Sequence, residues 1–116
     1  MNMEDADHRI ENTAAGCTMT GVLRLATPGA YERIFNPIHD AMIACKTTYV
    51  VDIRGLNFMN SSGITALSRL VLAARKLDLP LRILGAESIA WQRKTITSLR
   101  RLHTLLTVDI QDTPAS

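Results

Sequence analysis

Residues 49–67 read Tyr49-Val50-Val51-Asp52-Ile53-Arg54-Gly55-Leu56-Asn57-Phe58-Met59-Asn60-Ser61-Ser62-Gly63-Ile64-Thr65-Ala66-Leu67. With Thr48 ahead of it, the first part is a short β-branched run, apolar on both faces until Asp52. Such a run suits a central strand covered on both sides. Arg54-Gly55-Leu56-Asn57 then predicts a turn out of that strand. The last part opens the clearest helix of the chain. Ile64, Leu67, Leu70 or Val71, Ala74 and Leu77 form one apolar stripe over residues 62–77, which ends before Pro80. Strand, polar loop and amphipathic helix in this order make half of a crossover unit.

Upstream, residues 18–25 alternate as a strand, with Met19, Val22 or Leu23, and Leu25 apolar and Gly21 interrupting. Ala26-Thr27-Pro28-Gly29 breaks it. Residues 30–45 are helical in pattern, placing Ile34, Phe35, Ile38, Met42 and Cys45 at spacings of three and four. Pro37 inside that span either kinks the helix or restarts it with Asn36 as cap. Downstream, residues 81–84 read as a strand stopped by Gly85. Residues 87–102 read as a helix with Ser88 as cap and Ile89, Ile96, Leu99 and Leu102 facing inward. Residues 106–110 form a last strand.

These elements predict an α/β fold, with a mostly parallel or mixed sheet of four to five strands covered by helices. Residues 17–111 form the single domain. Residues 1–16 are a tail or contribute a short edge strand around residues 8–12, and residues 112–116 are a polar tail. In such sheets functional loops lie at the carboxyl ends of strands, which directs attention to the loop ahead of Ser61.

Composition narrows the function classes. The chain has 116 residues, 47% apolar and 21% charged, which suits one folded domain and excludes a disordered chain. Its formal charge of +2 is too small to announce nucleic-acid binding. No apolar run is long enough to span a bilayer, and the polar start lacks the pattern of a secretory signal. The expectation is a cytoplasmic protein with neither membrane insertion nor direct nucleic-acid contact. Cys17 and Cys45 stand without a CxxC or a histidine cluster and read as reduced thiols; His8, His39 and His103 are scattered, so no metal or other cofactor is expected.

Asn60, Ser61 and Ser62 can each cap the helix, because its first N–H groups lack internal partners. Gly63 allows close approach of another chain segment or partner, and Phe58 and Met59 can staple the start of the helix to the core. A serine at this position also tolerates a phosphate, since the helix dipole favours negative charge there. Helical spacing puts Ser61, Thr65, Ser68 or Arg69, Leu72, and Arg75 or Lys76 on the exposed face. Thr65, Arg69 and Leu72 are the candidate partner contacts. Arg93, Lys94, Arg100 and Arg101 read as a solvated basic face, and Trp91 as packing the third helix on the sheet. Catalysis is not expected: no histidine is placed beside the serines, and neither G-x-S-x-G nor a glycine-rich phosphate loop is present.

The stretch of residues 49–67 resembles the signature of STAS domains, the anti-sigma factor antagonist family. The resemblance covers a hydrophobic strand ending in Asp, a Phe and an apolar residue, a serine pair with glycine, and an amphipathic helix. It implies a STAS-like domain with a shortened or absent terminal helix, acting in bacterial signal transduction and transcription regulation. It further implies phosphorylation at Ser61 by a partner serine kinase, reversal by a phosphatase, and partner docking through Asn60, Ser61, Ser62, Gly63, Thr65, Arg69 and Leu72. The chain departs from the family pattern at Asn60, where Asp is usual, at Ala26-Thr27-Pro28-Gly29, and at Leu102-His103-Thr104-Leu105. The alternative is a constitutive scaffold subunit of a signalling or lipid-transport assembly, in which the serines only cap the helix.

Overall fold

The computed structural model of the chain describes residues 2–4 and 7–111. The tail expected at residues 112–116 lies outside them. The elements, in order, are β1 (Asn2–Glu4), β2 (His8–Asn12), β3 (Gly16–Leu23), α1 (Pro28–Ala44), β4 (Tyr49–Met59), α2 (Ser61–Lys76), β5 (Leu81–Ala86), α3 (Ala90–Arg100) and β6 (Leu106–Gln111). They build an α/β fold on one mixed sheet, in which five longer strands are extended at one edge by the three-residue β1. Spatial order follows chain order. β1, β2 and β3 pair antiparallel, and β3 through β6 pair parallel.

That order determines where the helices go. Each parallel neighbour is reached by one crossover, and right-handed crossovers between successive strands all return over the same face. Accordingly α1 packs on α2, and α2 on α3. The covered face carries Met19, Leu23, Tyr49, Val51, Ile53, Leu81 and Ile83, all sealed from solvent. Among the described residues no helix covers the other face. Val50, Asp52, Arg54 and Leu84 are half-buried there, so β4 is covered on one side, against the expectation of two covered sides. This face carries ion pairs: Arg54 reaches Asp52 at 2.8 Å, and Arg82 reaches Asp109 at 2.7 Å.

The helices owe their stability to burial. Most helical stability in a folded chain comes from packing an amphipathic face rather than from propensity, and α2 buries Leu67, Leu70, Val71 and Ala74. Each large apolar side chain so removed from water is worth about 1.5–3 kcal/mol. α2 ends in a Schellman turn, with Asp78 in the left-handed region at φ 53° and the Leu79 N–H bonded to the Ala74 carbonyl at 2.9 Å.

Several expected boundaries are corrected. Thr27-Pro28, read as a break, starts α1: Thr27 is the cap, its hydroxyl accepting from Ala30 N–H at 3.2 Å, and Pro28 sits where its missing N–H costs nothing. α1 then runs unbroken through Pro37, without a restart at Asn36. β3 spans Gly16–Leu23, so Leu25 lies beyond it. Its register shifts around Gly21, whose φ of 90° and closeness to the Asp7 carbonyl exclude a side chain. α3 is capped by Ile89 with no side-chain bond, so Ser88 is not its cap. Gln92 joins Ile96 and Leu99 on the inner side of α3, while Ile89 and Leu102 are only half-buried. His103 is buried, its Nε2 2.7 Å from the Leu79 carbonyl, whereas Arg93, Lys94, Arg100 and Arg101 are exposed.

Candidate functional site

The largest difference from the sequence reading lies directly ahead of Ser61. No turn follows Ile53. β4 continues to Met59, and a single residue, Asn60, separates it from α2. Beyond Asp52, β4 parts from β5 but keeps pairing with β3, Leu56 opposite Gly21 and Met59 opposite Leu23. A Cβ at Gly55 would lie 2.9 Å from the Thr20 methyl, so the glycine lets β3 and β4 approach here without displacing that side chain.

The side of β4 that has lost β5 is held by α3. Gln92, fully buried, donates from Nε2 to the Ile53 carbonyl at 2.6 Å and to the Leu56 carbonyl at 2.9 Å. Its Oε1 accepts the Ala86 N–H at 2.8 Å. Trp91 Nε1 donates to the same Leu56 carbonyl at 3.2 Å, so this tryptophan both packs and hydrogen-bonds. A side chain on one helix thus replaces a missing stretch of ladder. Ser61 is delivered by a pinned strand.

Asn60 makes the joint. Its Oδ1 accepts the Gly63 N–H at 3.1 Å and faces the Tyr31 hydroxyl, its Nδ2 donates to the Leu25 carbonyl at 3.1 Å, and its own N–H bonds to the Leu23 carbonyl at 3.2 Å. Asn60 therefore caps α2, which leaves Ser61 and Ser62 exposed at the first two helical positions. A carboxylate would accept from Gly63 equally well, but it has no donor for the Leu25 carbonyl.

Tyr31, which sequence reading did not single out, completes the corner. Its buried ring lies under the joint, and its hydroxyl is shared between the Leu23 carbonyl at 3.0 Å and Asn60 while accepting the Leu25 N–H at 3.2 Å. Burial raises the phenol pKa above its usual value, so it remains a neutral donor. Gly63 is buried against this tyrosine: a Cβ there would meet Met59 Cγ at 2.5 Å and the Tyr31 ring at 2.9 Å. The glycine accommodates side chains of its own chain and offers no side chain to a partner. Met59 is buried at the joint, but Phe58, expected to help staple it, is exposed, with Arg24 lying 4.9 Å over its ring.

The exposed face of α2 carries Ser61, Thr65, Arg69 and Leu72, the last 41% exposed. Thr65 donates its hydroxyl to the Ser61 carbonyl at 3.0 Å, and Ser68, half-buried, donates to Ile64. No acidic residue lies in the first turn of α2. Between α1 and α2 runs a groove of about 370 Å³, to which Ser62, Thr65 and Arg69 contribute. Sequence reading missed its α1 wall because Glu32, Phe35 and His39 carry no motif.

Elsewhere, burial pushes the Cys17 thiol up to about 12, so it is no thiolate nucleophile. Tyr49 donates to Asn12 Oδ1 at 2.7 Å. Among the described residues no group of three or more His, Cys, Asp or Glu could hold a metal ion, and no helix is long and apolar enough to cross a membrane. No protein-family model matches the chain, and no curated protein matches it.

Proposed function

We propose that this chain is a protein-binding module of the anti-sigma factor antagonist kind, switched by phosphorylation at Ser61. A serine kinase partner adds the phosphate, a phosphatase removes it, and the unmodified form docks its partner in the cytoplasm. The observation that carries this reading is the exposed Ser61 hydroxyl on a joint already capped by Asn60. Because the cap does not depend on the serine, a phosphate can come and go without disturbing the start of the helix. The helix dipole at this end and the absence of acids in the first turn favour the added charge of roughly −1.5 to −2. The docking face of the proposal is the exposed strip of Ser61, Ser62, Thr65, Arg69 and Leu72, with Asn60 and Gly63 holding its geometry.

The test is intact-mass analysis of the chain recovered from its native cells, together with pull-downs using three baits. Phosphate on Ser61, with a complex retained by Ser61→Ala and lost with Ser61→Asp, supports the switch. Equal binding by both serine variants, with loss only for Leu72→Asp, supports instead a constitutive scaffold subunit. That second reading has its own observation in the exposed Leu72. Absence of phosphate together with equal binding by all three variants refutes both.

A further inference from the structure

β3 to β6 run parallel, and each helix returns the chain from the carboxyl end of one strand to the amino end of the next. The last turns of α1, α2 and α3, with the connections after them, therefore meet at one end of the molecule, opposite Ser61. Contacts join these connections: His103 Nε2 lies 2.7 Å from the Leu79 carbonyl, and the Leu81 N–H bonds to the Leu105 carbonyl at 3.3 Å. We propose that this end docks, as a peripheral surface, on a lipid bilayer rich in anionic headgroups.

The charge is one-sided. Residues 41–48, 73–80 and 97–105 make up this end and carry Lys46, Arg75, Lys76, Arg100 and Arg101, all exposed, against one acid, Asp78. None of these cations is in an ion pair among the described residues. Arg9, Arg54 and Arg82, by contrast, each have a carboxylate partner. The whole chain carries only +2, so five cations against one acid here leave the remainder of the molecule net acidic. Overall composition conceals this segregation, because the three segments come together only in the fold.

Cations at helix C-termini also complement the negative ends of the helix dipoles, which suits Arg75, Lys76 and Arg100. The dipoles do not account for the aliphatic side chains beside them. Ile43, Leu77 and Leu105 are 46%, 48% and 45% exposed, more than any other large apolar residue described. Each belongs to a different one of the three segments. A protein interface gathers apolar residues into a core from which charge is depleted. Separate aliphatic tips interspersed with cations fit a fluid surface instead. The tips reach the boundary of headgroups and acyl chains while Lys and Arg meet the lipid phosphates. Docked in this way, the molecule turns Ser61 toward solution. The inference does not depend on phosphorylation of Ser61.

The experiment is co-sedimentation of the full chain with vesicles of phosphatidylcholine alone and with about one third phosphatidylglycerol, beside retention on polyglutamate beads. Half-binding to the acidic vesicles is expected at about 0.1–1 mM lipid, with at least tenfold weaker binding to neutral vesicles and in about 1 M salt. Lys76→Gln with Arg101→Gln should weaken vesicle binding about 25-fold, at about fivefold for each cation. Leu77→Ser with Leu105→Ser should weaken it about tenfold and leave retention on polyglutamate unchanged. Arg33→Gln, an exposed position near the start of α1, should leave vesicle binding unchanged. All substituted positions are exposed, and thermal unfolding of each variant reports whether the fold is retained. Equal binding to neutral and acidic vesicles, no binding to either, or an Arg33→Gln effect as large as that of the paired cations overturns the proposal. Serine variants that bind vesicles as the parent does also overturn it, and assign this end to an acidic protein surface.

Discussion

Replacing Gln92 tests whether α3 holds the strand that presents Ser61. In Gln92→Leu the volume is nearly kept, but the Ala86 N–H loses its acceptor at 2.8 Å and the Ile53 carbonyl its donor at 2.6 Å. The Leu56 carbonyl keeps Trp91. Each buried group left without a partner costs about 1–3 kcal/mol, so the variant should lose about 3–4 kcal/mol. That is a large part of a typical total of roughly 5–15 kcal/mol. With a urea m-value of about 1.5 kcal/mol/M, the unfolding midpoint should fall by roughly 2 M. Gln92→Glu adds a pH signature. Burial and two facing carbonyls both disfavour the carboxylate, which raises its pKa in the folded state above the unfolded value of about 4.3. The folded state then holds the proton more tightly. The variant is closest to the parent below about pH 4.3 and loses stability, relative to it, as pH rises toward the folded pKa. Urea titrations from pH 4 to 8 read both effects. A loss below about 1 kcal/mol for Gln92→Leu, or a Gln92→Glu difference that does not vary with pH, would refute the reasoning.

Other consequences follow from particular contacts. Tyr31→Phe removes the hydroxyl that serves Leu25, Leu23 and Asn60; it should cost about 1–3 kcal/mol in urea unfolding and speed hydrogen exchange at the start of α2. Asp78→Gly relieves a side chain held at φ 53° and should stabilise the chain by about 0.5–1 kcal/mol, read as a raised melting temperature. Burial alone would raise the Asp52 pKa, but hydrogen bonds from the Arg54 side chain and backbone, with its charge, bring it below the ordinary value. Asp52 therefore contributes stability above its unfolded pKa of about 3.9 that is lost as pH falls through the folded one. Acid titration of Asp52→Asn should lack that component.

The relation between sequence and fold is visible element by element. Period-2 and period-3.6 patterns located the parallel strands and the three helices, because each element has to bury one face, and the spacing of apolar residues records which. The boundaries that failed depend on distant partners. Residues 54–57 read as a turn because Arg54, Gly55 and Asn57 carry turn chemistry, yet β3 on one side and Gln92 on the other satisfy the backbone of this stretch as a strand. Residues 26–29 read as a break because a helix start and a loop use the same residue types.

For the site the division is similar. That small polar residues stand at the start of an amphipathic helix, with Ser61 and Ser62 among them, is a property of local order along the chain. Which of them caps, and which faces solvent, was settled by contacts from residues about thirty positions away: Tyr31 and the Leu25 carbonyl claim Asn60 and so release Ser61. The groove between α1 and α2 has no linear counterpart either, since its two walls come together only when parallel crossovers lay the helices side by side. Periodicity encodes which face of an element is buried. It cannot encode hydrogen bonds and charge placements between elements, because these exist only once the chain has closed on itself.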